Sequence, residues 1–103
     1  MSKRLAMLEK LAQSGNADSF ARYALALEYK GLGRVDDSLA TFEALRAADE
    51  AYVPMYLMCG SMLLEAGRPD QATTWLERGI VVATRAGDAK ALGELGDALA
   101  RAR

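Results

Sequence analysis

The chain has 103 residues and a formal net charge of −1, and hydrophobic residues make up 51% of it. This composition is typical of one folded domain and excludes a disordered chain. The balanced charge excludes the basic surface of a nucleic-acid-binding protein, and no apolar run approaches the ~20 residues that span a membrane. Because "MSKRLAMLEK" lacks the apolar core of a signal peptide, we expect a cytoplasmic protein.

Apolar residues at helical spacing predict two helices in the first third of the chain. The stripe of the first helix consists of Leu5, Leu8, Leu11 and Ala12, and the residues expected to end it are Ser14, Gly15 and Asn16. Asp18 or Ser19 can cap the second helix, "SFARYALALEYKGL", because a side-chain oxygen there accepts a free backbone N–H. Gly33 is expected to end this helix, since glycine tolerates the left-handed backbone of a helix C-terminus.

Four more helices follow in the remaining two thirds of the chain. The segment "VDDSLATFEALRAAD" predicts the third helix, with its acidic residues in the first turn. Pro54 and Pro69 are expected at the starts of the fourth and fifth helices, where a missing N–H costs nothing. Gly67 and Gly87 end these two helices, and Asp88 can cap the sixth, "AKALGELGDALARAR". The β-branched segment "IVVAT" continues a helical stripe, so we predict no strand.

Two sequence segments repeat at a fixed distance: "GRVDDSLATFE" (33–43) and "GRPDQATTWLE" (67–77) lie 34 residues apart. A period of this length with two helices per period resembles the tetratricopeptide repeat. The residues at the pattern positions of the first helix of each hairpin (helix A) are Leu25, Ala26 and Tyr29, then Cys59, Gly60 and Leu63. Those of the second helix (helix B) are Ser38 and Phe42, then Ala72 and Leu76. The sequence departs from the pattern where Arg22 and Tyr56 replace Trp and where Glu50 and Thr84 replace Pro. It also departs where Cys59 stands for Leu, Leu63 for Tyr, Ser38 for Ala and Leu76 for Phe.

The resemblance implies an all-α fold: a right-handed superhelix of α-hairpins with about six antiparallel helices. The implied organisation is a half-repeat helix in residues 1–15, repeats in 19–52 and 53–86, and a capping helix in 88–103. The last helix fits helix A if the fifth helix is two residues longer than usual; the matching residues are then Leu92, Leu95, Gly96 and Leu99. Small residues at Ala26, Gly60, Ser38 and Ala72 are expected where helices A and B approach closely.

The resemblance also implies a non-enzymatic protein-interaction module that binds a peptide or helix in a concave groove. The groove residues that it implies are Tyr23, Leu27, Lys30, Leu57, Ser61, Leu64, Glu65, Lys90, Glu94, Asp97 and Arg101. One subclass of the family grips a C-terminal carboxylate with Lys, Asn and Arg. Here Tyr23, Leu27 and Glu94 occupy places where those residues are needed, and Lys90 alone fits, so this mode is not expected.

Other functions have less support in the sequence. The chain has no histidine and one cysteine, so we expect no cofactor, metal site or catalytic residue. Cys59 takes the place of a buried leucine in the repeat and is interpreted as a core residue; an enzyme that uses its thiol is a remote alternative. Self-association, including a homodimer, is the nearer alternative, because a short stack leaves apolar ends. Leu92, Leu95 and Leu99 of the sixth helix would support it.

Overall fold

The computed structural model describes residues 3–15 and 17–103, and this part of the chain is entirely helices and turns. The six helices are α1 (Lys3–Gln13), α2 (Ser19–Gly31), α3 (Val35–Ala48), α4 (Pro54–Glu65), α5 (Pro69–Ala86) and α6 (Ala89–Ala102). The predicted all-α class and the helical assignment of "IVVAT" are therefore confirmed. Asn16, expected to help end the first helix, lies outside the described residues, as do the first two residues of the predicted half repeat.

Helices α2 and α6 begin at aspartates that the sequence offers as capping residues. Asp18 caps α2, and its Oδ1 accepts a hydrogen bond from the backbone N–H of Ala21 at 2.7 Å. Asp88 caps α6 in the same way through the N–H of Ala91 at 3.0 Å. Each bond satisfies one of the donors that the first turn of a helix leaves open.

Three glycines shape the turns that follow α2, α4 and α5. Gly33 and Gly67 have φ of 75° and Gly87 has φ of 67°, a left-handed backbone that other residues rarely adopt. Gly33 and Gly67 begin the two copies of the repeated segment. The segment therefore recurs because each copy forms the turn from helix A into helix B.

The described chain forms two compact units, the first ending at Asp49 and the second beginning at Glu50. In the first unit α2 packs against both α1 and α3. The buried residues between α1 and α2 are Leu5, Leu8, Leu25 and Tyr29, with Ala12 and Ala24 packed against them. The Tyr29 hydroxyl donates to Glu9 Oε2, and the Arg34 guanidinium lies 4.8 Å from the centre of the Tyr29 ring. These contacts join α1, α2 and the turn that follows α2.

Polar contacts also join α2 to α3. The buried Ser38 hydroxyl donates to the backbone carbonyl of Ala26 at 2.7 Å, where the sequence predicts a close helix contact. At the end of α3, the Ser19 hydroxyl donates to Asp49 Oδ2 at 2.5 Å. Asp49 is half-buried, and its carboxylate therefore ties the end of α3 to the start of α2.

The second unit packs by apolar contacts around two glycines. A Cβ at Gly60 would lie 2.5 Å from Leu76 Cδ2, and one at Gly79 would lie 2.6 Å from Tyr56 Cβ and 2.9 Å from Leu95 Cδ2. These distances are too short for any side chain, so glycine is what lets α4 approach α5 and α5 approach α6. Cys59 is also fully buried, which supports its interpretation as a core residue.

Candidate functional site

One face of α2 in the first unit lines a surface groove of about 260 Å³. The residues that line it are Arg4, Phe20, Tyr23, Ala24, Leu27 and Glu28. Five of the six are on α2, spaced so that they share one face of the helix. The groove therefore includes Tyr23 and Leu27, two of the three residues that the sequence places on the binding face of the first repeat.

Phe20 is the most exposed large apolar side chain of this face, with 69% of its surface accessible. It also lines a second groove, of about 290 Å³, between α1 and the start of α2. The other residues of this second groove are Leu8, Leu11, Ser14, Ala17, Asp18, Ala21 and Ala24. The sequence includes Phe20 in the apolar stripe of the second helix and misses it as a surface residue. Its spacing from Tyr23 and Leu27, three and seven positions, is the signal that could have placed it with them.

The remaining contacts of this face show which side chains also have packing roles. Tyr23 is half-buried, and its ring lies edge-on to Phe42 with 6.5 Å between ring centres. Lys30 is half-buried in the last turn of α2, outside the residues that line the groove. At the groove wall, Arg4 Nε lies 3.4 Å from Glu28 Oε1. The groove thus has an apolar floor and one ion pair at its edge.

The predicted site residues of the second unit lie on two helix faces. On α4, Leu57, Ser61 and Leu64 are half-buried and Glu65 is exposed. On α6, Lys90, Glu94, Asp97 and Arg101 are all exposed, and their spacing places them on one face. The α4 residues are thus two leucines, a serine and a glutamate, and the α6 residues are all charged.

Two further properties describe residues 3–15 and 17–103. No group of three or more His, Cys, Asp or Glu side chains in this part of the chain lies close enough to hold a metal ion. None of its helices combines the length and the apolar character needed to cross a membrane.

The pKa of Tyr29, in the α1–α2 core, is raised to about 12. The hydrogen bond to Glu9 is the largest cause, and burial and the negative charge of Glu9 add to it.

An arrangement of antiparallel helix pairs with a small residue at each close contact defines a helical-hairpin repeat protein. The chain is 39% identical to a tetratricopeptide repeat domain protein from Salinibacter ruber, whose crystal structure matches with a TM-score of 0.75 over 82% of this chain and 96% of that one. The solution structure of a tetratricopeptide repeat domain protein from the same organism matches at 39% identity with a TM-score of 0.76, over 82% of this chain and 86% of that one. The chain therefore belongs to the tetratricopeptide repeat proteins.

A third structure shares the fold over nearly the whole chain. The solution structure of a protein from Bordetella parapertussis matches with a TM-score of 0.83 at 24% identity, over 99% of this chain and 89% of that one. Neither a protein-family model nor a curated protein matches the sequence. Tetratricopeptide repeat domains are generally non-enzymatic modules that bind other proteins. The comparisons support this general class of function for the chain.

Proposed function

We propose that this chain binds a short segment of a partner protein, with the α2 groove as its main contact. The observation that carries the proposal is the exposed Phe20, which stands between two grooves on the helix A face. Covering a phenylalanine side chain fully is worth about 1.5–3 kcal/mol, and aromatic residues are enriched at protein interfaces. A partner that covers Phe20 would therefore gain binding energy without any rearrangement of the α1–α2 core.

The chemistry of the groove favours a partner segment with a bulky apolar side chain. The floor, formed by Ala24 and Leu27 beside Phe20, offers few polar groups to such a side chain. Arg4 and Glu28 at the wall can bond to the peptide backbone or to a charged neighbour of the anchor residue. This combination of an apolar anchor and a polar rim is common in peptide recognition.

The second unit has two helix faces that we propose as contact surfaces in their own right. The α4 face (Leu57, Ser61, Leu64 and Glu65) suits apolar side chains of the partner. The α6 face (Lys90, Glu94, Asp97 and Arg101) suits charged ones. We propose that repeat 19–52 supplies the α2 groove, repeat 53–86 the α4 face and the capping helix 88–103 the α6 face. We also propose no catalytic role, which the full burial of the Cys59 thiol supports.

The test is a selection of peptides from a random displayed library against the full chain. We expect the selected peptides to share a bulky apolar residue and to shift the backbone NMR signals of Phe20, Tyr23 and Leu27. Phe20→Glu should weaken their binding by about tenfold or more, because it places a charge at an apolar contact. Val81→Glu is the matched control, since Val81 is an exposed apolar residue on α5.

The proposal requires that Phe20→Glu weakens binding of the selected peptides and that Val81→Glu does not. If Phe20→Glu bound the selected peptides as tightly as the unmodified chain, the α2 groove would not be their site. Signal shifts confined to the outer face of α5 around Val81 would contradict the proposal in the same way.

A further inference from the structure

The ion pair at the wall of the α2 groove joins the first turn of α1 to the last turn of α2. Arg4 Nε lies 3.4 Å from Glu28 Oε1, and both residues line the groove that also includes Phe20. The two side chains differ in exposure, since 73% of the Arg4 side chain is accessible and 18% of the Glu28 side chain. A partner that enters the groove therefore meets mainly the positive charge of the pair.

A carboxylate at the Glu28 position is not required for packing in this chain. One repeat period later the sequence has Met62, an apolar residue that is buried in the second unit. Withdrawing a carboxylate from water is costly unless an opposite charge compensates it. Arg4 supplies that charge, and in return Glu28 holds the Nε edge of the guanidinium at the groove wall.

The contact with Glu28 leaves most of the binding capacity of Arg4 unused. A guanidinium has five N–H donors in a planar fork, and its two terminal nitrogens can bind both oxygens of a carboxylate. Within residues 3–15 and 17–103, the ion pair of Arg4 is with Glu28 and is made through Nε. Because the side chain is mostly exposed, Nη1 and Nη2 are accessible to a carboxylate from outside the chain.

Charges in the adjoining turns favour an acidic group at this end of the groove. The first turn of α1 and the last turn of α2 together have three basic residues, Lys3, Arg4 and Lys30, and one acidic residue, Glu28. Lys3 is exposed and Lys30 is half-buried. The net positive charge of these two turns attracts a carboxylate to the Arg4 end of the groove.

We propose that the partner segment carries an aspartate or glutamate whose side chain binds Arg4 while an apolar side chain of the same segment covers Phe20. This inference rests on the proposed function, because it names the chemistry of the segment that the α2 groove binds. The carboxylate belongs to a side chain within the segment. Most of the positions that grip a C-terminal carboxylate in one subclass of the family are occupied by unsuitable residues here.

The length of α2 sets the separation between the two contacts. Eight positions separate Phe20 from Glu28. This corresponds to about 12 Å along a helix that rises ~1.5 Å per residue. An extended segment covers that distance in about four residues, and a helical segment covers it in about eight. We therefore expect the acidic residue to lie at one constant spacing from the apolar anchor.

The first experiment selects peptides from the same random displayed library against the full chain, unmodified and as Arg4→Gln. Lys10→Gln is the matched control, because it removes one positive charge from an exposed position at the other end of α1. We expect the unmodified chain and Lys10→Gln to select peptides that combine a bulky apolar residue with an aspartate or glutamate at a fixed spacing. Peptides selected by Arg4→Gln should keep the apolar residue and lose the acidic preference.

A second experiment measures the strength of the contact with synthetic peptides. A selected peptide is compared with a copy that has asparagine or glutamine in place of the acidic residue, and both are amidated so that no terminal carboxylate takes part. Titration calorimetry with the unmodified chain should show about threefold weaker binding of the uncharged copy at low salt, the size expected for an exposed ion pair. The difference should shrink with added salt and vanish in Arg4→Gln.

The uncharged copy also tests whether Arg4→Gln merely loosens α1. If the groove is intact, Arg4→Gln binds the uncharged copy as tightly as the unmodified chain does, and only the binding of the acidic peptide changes. Equal weakening of both peptides by Arg4→Gln would indicate a structural role for Arg4 and would overturn the proposal.

Two further results would overturn it. One is a selection by the unmodified chain without enrichment of aspartate or glutamate. The other is enrichment of lysine or arginine, which would assign the partner contact to Glu28. Both results leave the proposed function standing if binding still depends on Phe20. Selected peptides that bind Phe20→Glu unchanged would contradict the proposed function and this inference together.

Discussion

The two copies of the repeated segment pack their helix pairs in different ways. In the α2–α3 pair, Ala26 and Ser38 meet through a buried hydrogen bond. In the α4–α5 pair, the close contact is apolar, with Leu76 seated on Gly60. The repeat pattern requires small residues at this contact, and the chemistry between them can vary as long as the helices approach closely.

The two units also differ in how much large apolar surface they expose. Four of the five exposed large apolar side chains among the described residues lie in the first unit: Met7, Leu11, Phe20 and Leu32. The second unit exposes Val81. Exposed apolar residues are often found at interaction sites when they cluster. This difference is the reason that the proposed binding is centred on the first unit.

Gly79→Ala should be the most disruptive change to the packing of the second unit. The new methyl group would lie 2.6 Å from Tyr56 Cβ, which cannot move without moving the α4 backbone. We expect a loss of about 2–3 kcal/mol in the free energy of unfolding, measured by urea denaturation at low protein concentration. Gly96→Ala is the control and should stabilise the chain by up to about 1 kcal/mol, because its Cβ enters open space. Equal effects at the two glycines would contradict the packing described here.

Exchanging the residues at one repeat position tests whether the two pairs are equivalent. Phe42 and Leu76 occupy the same position and are both fully buried. Leu76→Phe should cost about 2 kcal/mol, since the larger ring has no space against Gly60, and Phe42→Leu should cost about 1 kcal/mol by leaving a cavity. Thermal unfolding of both variants measures this. If each residue were tolerated in the other's place, the two cores would be interchangeable.

Removing the Ser38 hydroxyl tests the polar contact of the first pair. Ser38→Ala deletes the 2.7 Å bond to the Ala26 carbonyl and should lower the free energy of unfolding by about 1 kcal/mol. Thr41→Ala is the matched control, because the Thr41 hydroxyl donates to the Asp37 carbonyl at an exposed site of the same helix. It should change stability by less than about 0.5 kcal/mol. A control that costs as much as Ser38→Ala would assign the loss to the helix and not to the α2–α3 contact.

The smallest expected effect is on the ionisation of Tyr29. The pKa of Tyr29 is raised from 10.0 to about 12, mainly by its hydrogen bond to Glu9. A raised pKa means that folding favours the neutral phenol, so its contribution is complete below pH 10 and is lost as the pH rises towards 12. NMR titration of the ring carbon that bears the hydroxyl measures this pKa directly.

Glu9→Gln supplies the comparison for that titration. It removes the carboxylate, so the pKa of Tyr29 should fall towards 10.0. An unchanged pKa in Glu9→Gln would show that burial, and not the link between α1 and α2, causes the shift.

The candidate site was predictable in part. Helical spacing and the repeat pattern placed Tyr23 and Leu27 on one face, and the structure brings both to the α2 groove. Lys30 follows the same spacing but lies in the last turn, outside the groove residues. Phe20 was missed because a large apolar residue in a helical stripe has the same pattern whether a neighbouring helix covers it or not.

The amino-acid sequence by itself determined the helices, their caps, the left-handed turns at Gly33, Gly67 and Gly87, and the family. These features depend on interactions within a few residues or on a period that a single chain displays. Tertiary structure alone decided which apolar side chains are covered and which polar groups meet, as in the bonds of Tyr29 to Glu9 and of Ser19 to Asp49. Such contacts join residues 20 and 30 positions apart, and their geometry depends on how neighbouring helices pack.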